Sequence, residues 1–475
     1  MLPYILKKLS IFTLFIALTP TAWADGPTLT NYLGTGTHPR LSLNLSANAM
    51  KAAPFSIDYQ QAGNMPCSND LSKNWSTWDV KDETGTYFGT VTLTCSGYTV
   101  NFTNYNAKNS GGNYLEGVNF NFNKKINSYQ LTVDKIVINN PSANSPFPNT
   151  PLATPAIDTK TKMPIIWHTQ GATILDQNGT IVLLKGVVRP SLEWNPQGQN
   201  LSPQDITNMK TWGANVIRVD LNQAYWFASA PVTTSGSYKQ VINAIVYNAI
   251  QNHMAVILDL HWTDHMGQSS MANRDSLQFW HDVANDYKSF GTVIFELFNE
   301  PVAIDTQTWL NGNANYAGYQ ELVGAVRSTG AHNLCIVNGL DYGYDLSFVN
   351  NQFRVKGDNI IYGSHPYNEK GKPGYTGPGR DFDYNFQGII GSYPLIFTEF
   401  GVNDAAYFPQ GYVAVYQRIL AYANLQNINY SAFAWWVDTD HADIFPDVIA
   451  DWQGTPLNGG VMIHDDLQTH PGTNF

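Results

Sequence analysis

From about residue 165 to the end of this 475-residue chain, eight short apolar runs recur, and no other feature constrains the fold as strongly. They centre on Leu183–Val188, Val216–Val219, Ala255–Leu260, Val293–Phe298, Leu334–Val337, Ile360–Gly363, Leu395–Thr398 and Ser431–Trp436. Consecutive runs begin roughly 26 to 41 residues apart, which suits β-loop-α-loop units. Between them, Gln240–Gln251 and Tyr412–Ala423 read as amphipathic helices. Eight such units predict a closed (β/α)8 TIM barrel. A doubly wound sheet more often has about five or six strands and a Gly-rich phosphate turn. Neither G-x-G-x-x-G nor a P-loop occurs in the sequence, so no nucleotide cofactor is expected.

The chain before the barrel reads differently. Residues 1–24 resemble a signal peptide: Lys7 and Lys8, an apolar run from Ile11 to Leu18, then Ala22-Trp23-Ala24 as a small-x-small cleavage site. The apolar run is shorter than the roughly 20 residues a membrane span needs. No later segment reads as a span, so an exported, extracellular monomer is expected. Residues 25–139 alternate apolar and polar residues and are rich in Thr and Val, as in Thr90–Thr94 and Leu131–Ile138. A small β-sandwich-like domain is the natural package. Within it Trp75, Trp78, Tyr87 and Tyr98 form either a carbohydrate-binding face or a core. Cys67 and Cys95 lie close in sequence, and export permits a disulfide between them. Residues 140–164, with prolines spaced among small polar residues, read as a semi-rigid extended linker. The barrel domain is then residues 165–475, and Cys335 reads as a buried thiol within its fifth run.

Charge narrows the partner. Charged residues make up 13% of the chain and aromatic residues another 13%, and the net charge is -11. A nucleic-acid partner would need a basic footprint, so it is excluded. Many rings with few charges fit a polar, uncharged, stackable partner such as carbohydrate, or else a large aromatic core.

In a barrel of this kind the active site lies at the C-terminal ends of the strands. The second run contains Arg218, the third ends in His261-Trp262 and the fourth in Asn299-Glu300-Pro301. The sixth leads into His365-Pro366-Tyr367, the seventh ends in Glu399-Phe400-Gly401, and the eighth carries Trp435-Trp436. Glu300 and Glu399 each close an apolar strand, where a carboxylate needs partners to be buried. Paired carboxylates across a sugar-sized cleft carry out glycoside hydrolysis. One must be a protonated acid and the other ionised, which requires environments that push their pKa values apart.

These residues resemble glycoside hydrolase family 5, the cellulase family, over roughly residues 165 to 465. Asn299-Glu300-Pro301 resembles its acid/base motif and Thr398-Glu399-Phe400-Gly401 its nucleophile motif. Arg218, His261, His365 and Tyr367 match its other active-site positions in chain order. The resemblance implies a retaining endo-β-1,4-glucanase acting on cellulose or a related β-linked glucan. Glu399 is then the nucleophile and Glu300 the acid/base. Asn299 bonds the sugar 2-OH, and Tyr367 and Arg218 keep Glu399 ionised. His261 and His365 shape the polar floor, and Trp435 forms the platform under the sugar.

Other readings of single residues remain open. Glu296 shares a strand face with Glu300 by period two. Arg218 could serve Glu296 or Asp259 structurally. His261 and His265 have metal-pair spacing only on a helix, so no metal is expected. Phe433 and Trp435 share a face of a regular eighth strand, and Trp436 takes the other. Trp194, Tyr225, Trp226 and Trp262 line sugar subsites or pack in the core. A mannanase, a xyloglucanase or a non-catalytic carbohydrate-binding protein are the alternatives in function.

Overall fold

In a computed structural model, residues 150–475 are described except 230, 235, 264–268, 369, 371–381, 403–410 and 438–446. Residues 146 and 147 are described too, and of the first 140 residues only strand backbones. The signal-peptide cleavage site, the Cys67–Cys95 pairing, the aromatic side chains of the N-terminal region and His265 therefore lie outside the described residues.

The chain divides into two compact units, chiefly Met1–Asn140 and the remainder from Pro141 onward. In the first, nine strands among the described residues form two antiparallel sheets. The five-stranded sheet runs β1 (Phe15–Ile16), β4 (Phe55–Gln60), β9 (Ser128–Ile136), β6 (Gly89–Cys95), β7 (Tyr98–Phe102). The four-stranded sheet runs β2 (Thr28–Tyr32), β3 (Arg40–Asn44), β8 (Gly117–Asn121), β5 (Ser76–Thr77).

In the second unit, eight parallel strands close into a barrel. They are β13 (Lys185–Arg189), β14 (Val216–Asn222), β15 (Ala255–Trp262), β16 (Val293–Glu296), β17 (Cys335–Asn338), β18 (Ile360–Ser364), β19 (Leu395–Phe397) and β20 (Asn429–Ala432). Closure comes from β20 pairing with β13, Gly186 opposite Ser431. Covering helices leave the strands almost wholly buried, which is why the sequence shows continuous apolar runs and not alternation. Gly186 is obligatory in this arrangement: a Cβ there would sit 1.8 Å from the Val216 carbonyl oxygen of the next strand.

The helices begin where the sequence offers a cap. Helix α1 (Pro203–Thr211) starts on Ser202, whose side chain accepts from Asp205 N, with Pro203 at the first helical turn. After the short α2 (Gln223–Ala228), α3 (Tyr238–Gln251) starts on Ser237 and buries Val241, Ile242, Ile245, Val246 and Ala249, one face at 3.6 spacing. There follow α4 (Ser276–Tyr287), α5 (Thr306–Asn311), α6 (Tyr319–Ser328), α7 (Phe382–Phe386), α8 (Tyr412–Gln426) and α9 (Gly459–Thr469). No helix among the described residues is long and apolar enough to cross a membrane.

A small antiparallel sheet, β10 (Trp167–Gln170), β11 (Thr173–Asp176) and β12 (Ile181–Val182), plugs the barrel's N-terminal end. Trp167, Ile174 and Val182 pack there against Val216, Ala255, Ile294 and Leu334, at or beside the starts of strands. That leaves the C-terminal ends open for chemistry.

Two differences from the sequence reading matter. Within the stretch read as a linker, residues 150–153 are held against α3. Gln240 and Asn243 of that helix donate to the carbonyls of Thr150 and Pro151, and Asn243 Oδ1 accepts from Ala153 N. The prolines supply extended backbone, and helix amides satisfy its polar groups. The eighth strand, read as Ser431–Trp436, instead spans Asn429–Ala432. Asn429 anchors it early by accepting from Leu184 N and donating to the Leu395 carbonyl.

Replacing Gly186 with Ala should destabilise the protein by about 2 kcal/mol or more, because backbone must move to admit the methyl group. Urea denaturation checks this, and an unchanged midpoint would contradict the tight β13–β14 approach.

Candidate active site

The site is organised around one buried guanidinium. Arg218, on β14, donates from Nε to Glu296 Oε2 (2.6 Å) and from Nη2 to Glu296 Oε1 (3.1 Å) and Asn299 Oδ1 (2.7 Å). Nη2 also lies 2.9 Å from Asp259 Oδ2. Its Nη1 donates to Asp220 Oδ1 (2.9 Å) and Glu399 Oε1 (2.8 Å). Five side chains from β14, β15, β16, the segment after β16 and the segment after β19 are thus fixed to one planar fork.

Not all four carboxyls around it can be ionised. Burial raises Asp220 to about 7 and Asp259 well above the usual range, with Arg218 opposing in both cases. Glu193, following β13, is likewise pushed up by burial and by Asp220. Glu296 goes the other way: burial works against ionisation, but the Arg218 charge overrides it and holds the carboxyl at about 2. Glu399 is also lowered, the charges of His365 and Arg218 outweighing its burial. The negative charge therefore concentrates on Glu296, underneath, and on Glu399, facing the cleft.

Glu399 has a second anchor in Tyr367, whose hydroxyl donates to Oε2 at 2.8 Å. His365, just past β18, holds the other glutamate: its Nδ1 is 3.0 Å from Glu300 Oε1 and its Nε2 is 2.9 Å from Thr398 Oγ1. Burial alone would lower this imidazole, but Glu399, Glu296 and Glu300 raise it to about 10. As imidazolium it donates from both ring nitrogens. Thr398 passes the order on by donating to Asn338 Oδ1 (3.3 Å), and Asn338 Nδ2 donates to Glu296 Oε1 (2.6 Å) and the Asn299 carbonyl (2.7 Å). Gly363 makes room for that amide, since a Cβ there would be 1.7 Å from Asn338 Oδ1.

Carboxylate oxygens of Glu300 and Glu399 lie within 4.8 Å of each other, with His365 between them. Glu300 is the more open, its side chain 16% exposed against 5% for Glu399. His261 is part-exposed at the end of β15, its Nδ1 2.8 Å from Asp259 Oδ2 and its Nε2 3.5 Å from Asn299 Nδ2.

The structure thus brings together Glu300, Glu399, Arg218, His261, Asn299, His365 and Tyr367. It does not bring Trp435 to them. That ring is fully buried, donates from Nε1 to Asp205 Oδ1 (2.8 Å) and packs edge-on against Trp212. A sugar platform needs an open face, so the platform expected of Trp435 is not available. The expectation assumed a strand through residue 436, whereas β20 ends at Ala432 and period-two alternation stops there. Phe433, the next residue, is partly exposed and stands 6.5 Å from the Tyr367 ring. Trp194 and Trp262 are part-exposed, whereas Tyr225 and Trp226 are core. Glu296 was weighed against Glu300 and is wholly buried below it.

Sequence reasoning passes over Asn338, Asp220 and Glu193, and names Thr398 only as part of the motif around Glu399. Asn338 carried the same signal as the others, a polar residue closing an apolar strand, but only six of the eight strand ends were read that way. Asp220 shares its strand face with Arg218 and was equally visible.

The model of the family described as "Cellulase (glycosyl hydrolase family 5)" matches residues 175–439, more than half of the chain. An endoglucanase of Clostridium saccharobutylicum is 27% identical over 266 residues, 56% of this chain and 55% of the relative. Endoglucanase A of Butyrivibrio fibrisolvens is 29% identical over 239 residues, 50% of this chain and 52% of the relative. The chain thus spans about half the length of these curated relatives. Among solved structures, a β-glucanase of Saccharophagus degradans in complex with cellotetraose superposes with a TM-score of 0.52 at 21% identity, covering 68% of this chain and 98% of that one. The catalytic domain of the major endoglucanase from Xanthomonas campestris gives 0.54 at 17% identity, covering 64% of this chain and 99% of that one. These likenesses match the observed barrel, and the family match falls on the segment that carries every residue of the site. The chain belongs to glycosyl hydrolase family 5, the cellulase family.

Proposed function

We propose that the protein is a retaining endo-β-1,4-glucanase that hydrolyses cellulose or a closely related glucan. The observation that supports the mechanism is that one carboxylate oxygen of Glu300 and one of Glu399 lie within 4.8 Å of each other, too close to leave the wide gap of an inverting pair. Retaining enzymes hold their carboxyl groups about 5–5.5 Å apart, whereas inverting ones leave about 6.5–9.5 Å for a water.

Glu399 attacks the anomeric carbon. Its low pKa, from Arg218, His365 and the Tyr367 hydrogen bond, keeps it ionised and aimed. Glu300 protonates the departing oxygen, and after the glycosyl-enzyme forms it takes a proton from the incoming water. His365 stays charged and orients Glu300 through Nδ1. Asn299, fixed by Arg218 Nη2, offers its amide to the sugar 2-OH. Phe433 provides the apolar surface under the sugar ring that Trp435 cannot. The endoglucanase relatives and a barrel neighbour holding cellotetraose support glucan as substrate. The leader pattern at residues 1–24 supports export, where an insoluble polymer is met.

Glu300→Ala and Glu399→Ala should each lower glucan hydrolysis by about 10²- to 10⁴-fold or more with the fold retained. Full activity in either variant would defeat the assignment. Product profiles on carboxymethylcellulose, mannan and xyloglucan should show fastest release from the first, and preference for mannan would move the reading to a mannanase. Phe433→Ala should cut kcat/KM about tenfold with little loss of stability, while Trp435→Ala should destabilise by about 3–5 kcal/mol. Equal effects of the two on activity and stability would contradict the exchange of roles. Because His365 is raised to about 10 from an ordinary value of about 6.5, its charge stabilises the fold fully below the lower value and the gain is lost as pH rises through the upper. The gap in Tm between the protein and His365→Gln should be wide near pH 6 and close toward pH 10. A gap independent of pH would show that the imidazole is not held as a cation.

A further inference from the structure

Behind the two glutamates runs a file of buried groups that no substrate reaches. His365, Thr398 and Asn338 are each wholly buried, and together they join Glu300 to Glu296 by hydrogen bonds. His365 Nδ1 stands 3.0 Å from Glu300 Oε1, and its Nε2 stands 2.9 Å from Thr398 Oγ1. Thr398 Oγ1 is 3.3 Å from Asn338 Oδ1. Asn338 Nδ2 lies 2.6 Å from Glu296 Oε1, 3.1 Å from the Phe298 carbonyl and 2.7 Å from the Asn299 carbonyl.

The hydrogens in this file have little choice. Three acceptors surround one end of the Asn338 amide, so that end is the NH2 group and Oδ1 faces Thr398. The Thr398 hydroxyl has one hydrogen, and Asn338 Oδ1 takes it. The Thr398 oxygen must then receive from His365 Nε2, so Nε2 has to carry a hydrogen. Only Nδ1 is left to gain or lose one. A bare Nδ1 would accept from Glu300 and draw the acid's proton inward onto Oε1. An Nδ1 that carries a hydrogen donates to Oε1, and the proton of Glu300 then belongs on Oε2.

The surroundings select the second arrangement. Besides Glu300, Nδ1 lies 3.7 Å from Glu399 Oε2, and Nε2 lies 3.9 Å from Glu296 Oε1. These three carboxyls raise the ring to about 10, so Nδ1 carries its hydrogen at neutral pH. Thr398 supplies what charge alone does not. Glu296 is too far from Nε2 for a hydrogen bond, and without the Thr398 hydroxyl the imidazolium would lose one of its two bonds and with it the fixed direction of the other.

We propose that Thr398 is a positioning residue for the acid step: it holds His365 so that Nδ1 donates to Glu300 Oε1 and the transferable proton of Glu300 is kept on Oε2. The proposal rests on the reading of Glu300 as the acid. On cleavage that proton passes from Oε2 to the departing glycosidic oxygen, Glu399 bonds to the anomeric carbon, and His365 keeps both of its hydrogens. Thr398 itself touches no reacting atom and acts only through the ring.

The test varies the leaving group, since a sugar alcohol needs a proton to depart and an activated phenolate does not. Thr398→Val keeps the shape of the side chain and removes the hydroxyl. Its kcat/KM should fall about tenfold or more on cellotetraose and stay within about twofold on 2,4-dinitrophenyl β-cellobioside. Glu300→Gln should show the same selectivity with a larger loss, and Thr398→Ser, which keeps the hydroxyl, should recover the rate on cellotetraose. Equal losses on both substrates in Thr398→Val, or a loss on neither, overturn the positioning role while Glu300→Gln still marks Glu300 as the acid. A Glu300→Gln variant without the selective loss overturns the acid reading itself. A second measurement does not depend on the valine variant folding: nitrogen NMR of the full chain with labelled histidine, the His365 signals assigned by their absence in His365→Gln. Nε2 should stay protonated from about pH 5 to 8, and a bare Nε2 anywhere in that range overturns the proposal.

Discussion

The hydrogen bonds of Arg218 are the constraint on which the rest of the site depends. A fully buried guanidinium must have every N–H satisfied, and here the acceptors come from β14, β15, β16 and the segments after β16 and β19. Breaking such a buried cluster by removing one partner typically costs about 3–5 kcal/mol, so the strand ends are locked to one another by the same bonds that position the reacting groups. Stability and preorganisation are one arrangement. Asn299 and Glu399 do not need to find their places when substrate arrives.

His365 does for Glu300 what Arg218 does for Glu399. The two cations differ in reach: His365 lies between the two carboxyls, 3.0 Å from Glu300 and 3.7 Å from Glu399, whereas Arg218 bonds Glu399 of the pair. Glu399 receives Arg218 and Tyr367 in a nearly closed setting, whereas Glu300 has His365 on one side and the open cleft on the other. Two like groups in unlike surroundings can divide the acid and nucleophile roles. The buried acids behind them, Glu193, Asp220 and Asp259, are pushed toward their neutral forms, which keeps the charge of Arg218 directed at Glu296 and Glu399.

Much of this was legible in the sequence because a parallel barrel writes itself twice. Strands covered on the outside and packed within read as unbroken apolar runs, and function sits where each run stops. Arg218, His261, Glu300, His365 and Glu399 all follow from that rule. It failed where local hydrogen bonds decide a boundary. Asn429 starts the eighth strand two residues early, so Trp435 goes into the core and Phe433 reaches the cleft. Nothing in an apolar run shows which residue the neighbouring strand will pair with. The same holds for residues 150–153, which read as part of a proline-spaced linker until Gln240 and Asn243 supply partners.

The central claim is that two carboxyl groups this close act in sequence on one anomeric carbon. It is tested most directly by proton NMR of cellotetraose hydrolysis in its first minutes, before mutarotation. Double displacement predicts that the new reducing end appears first as the β-anomer and only later equilibrates. Appearance of the α-anomer first would mean single displacement through a water, and would contradict the role given to Glu399.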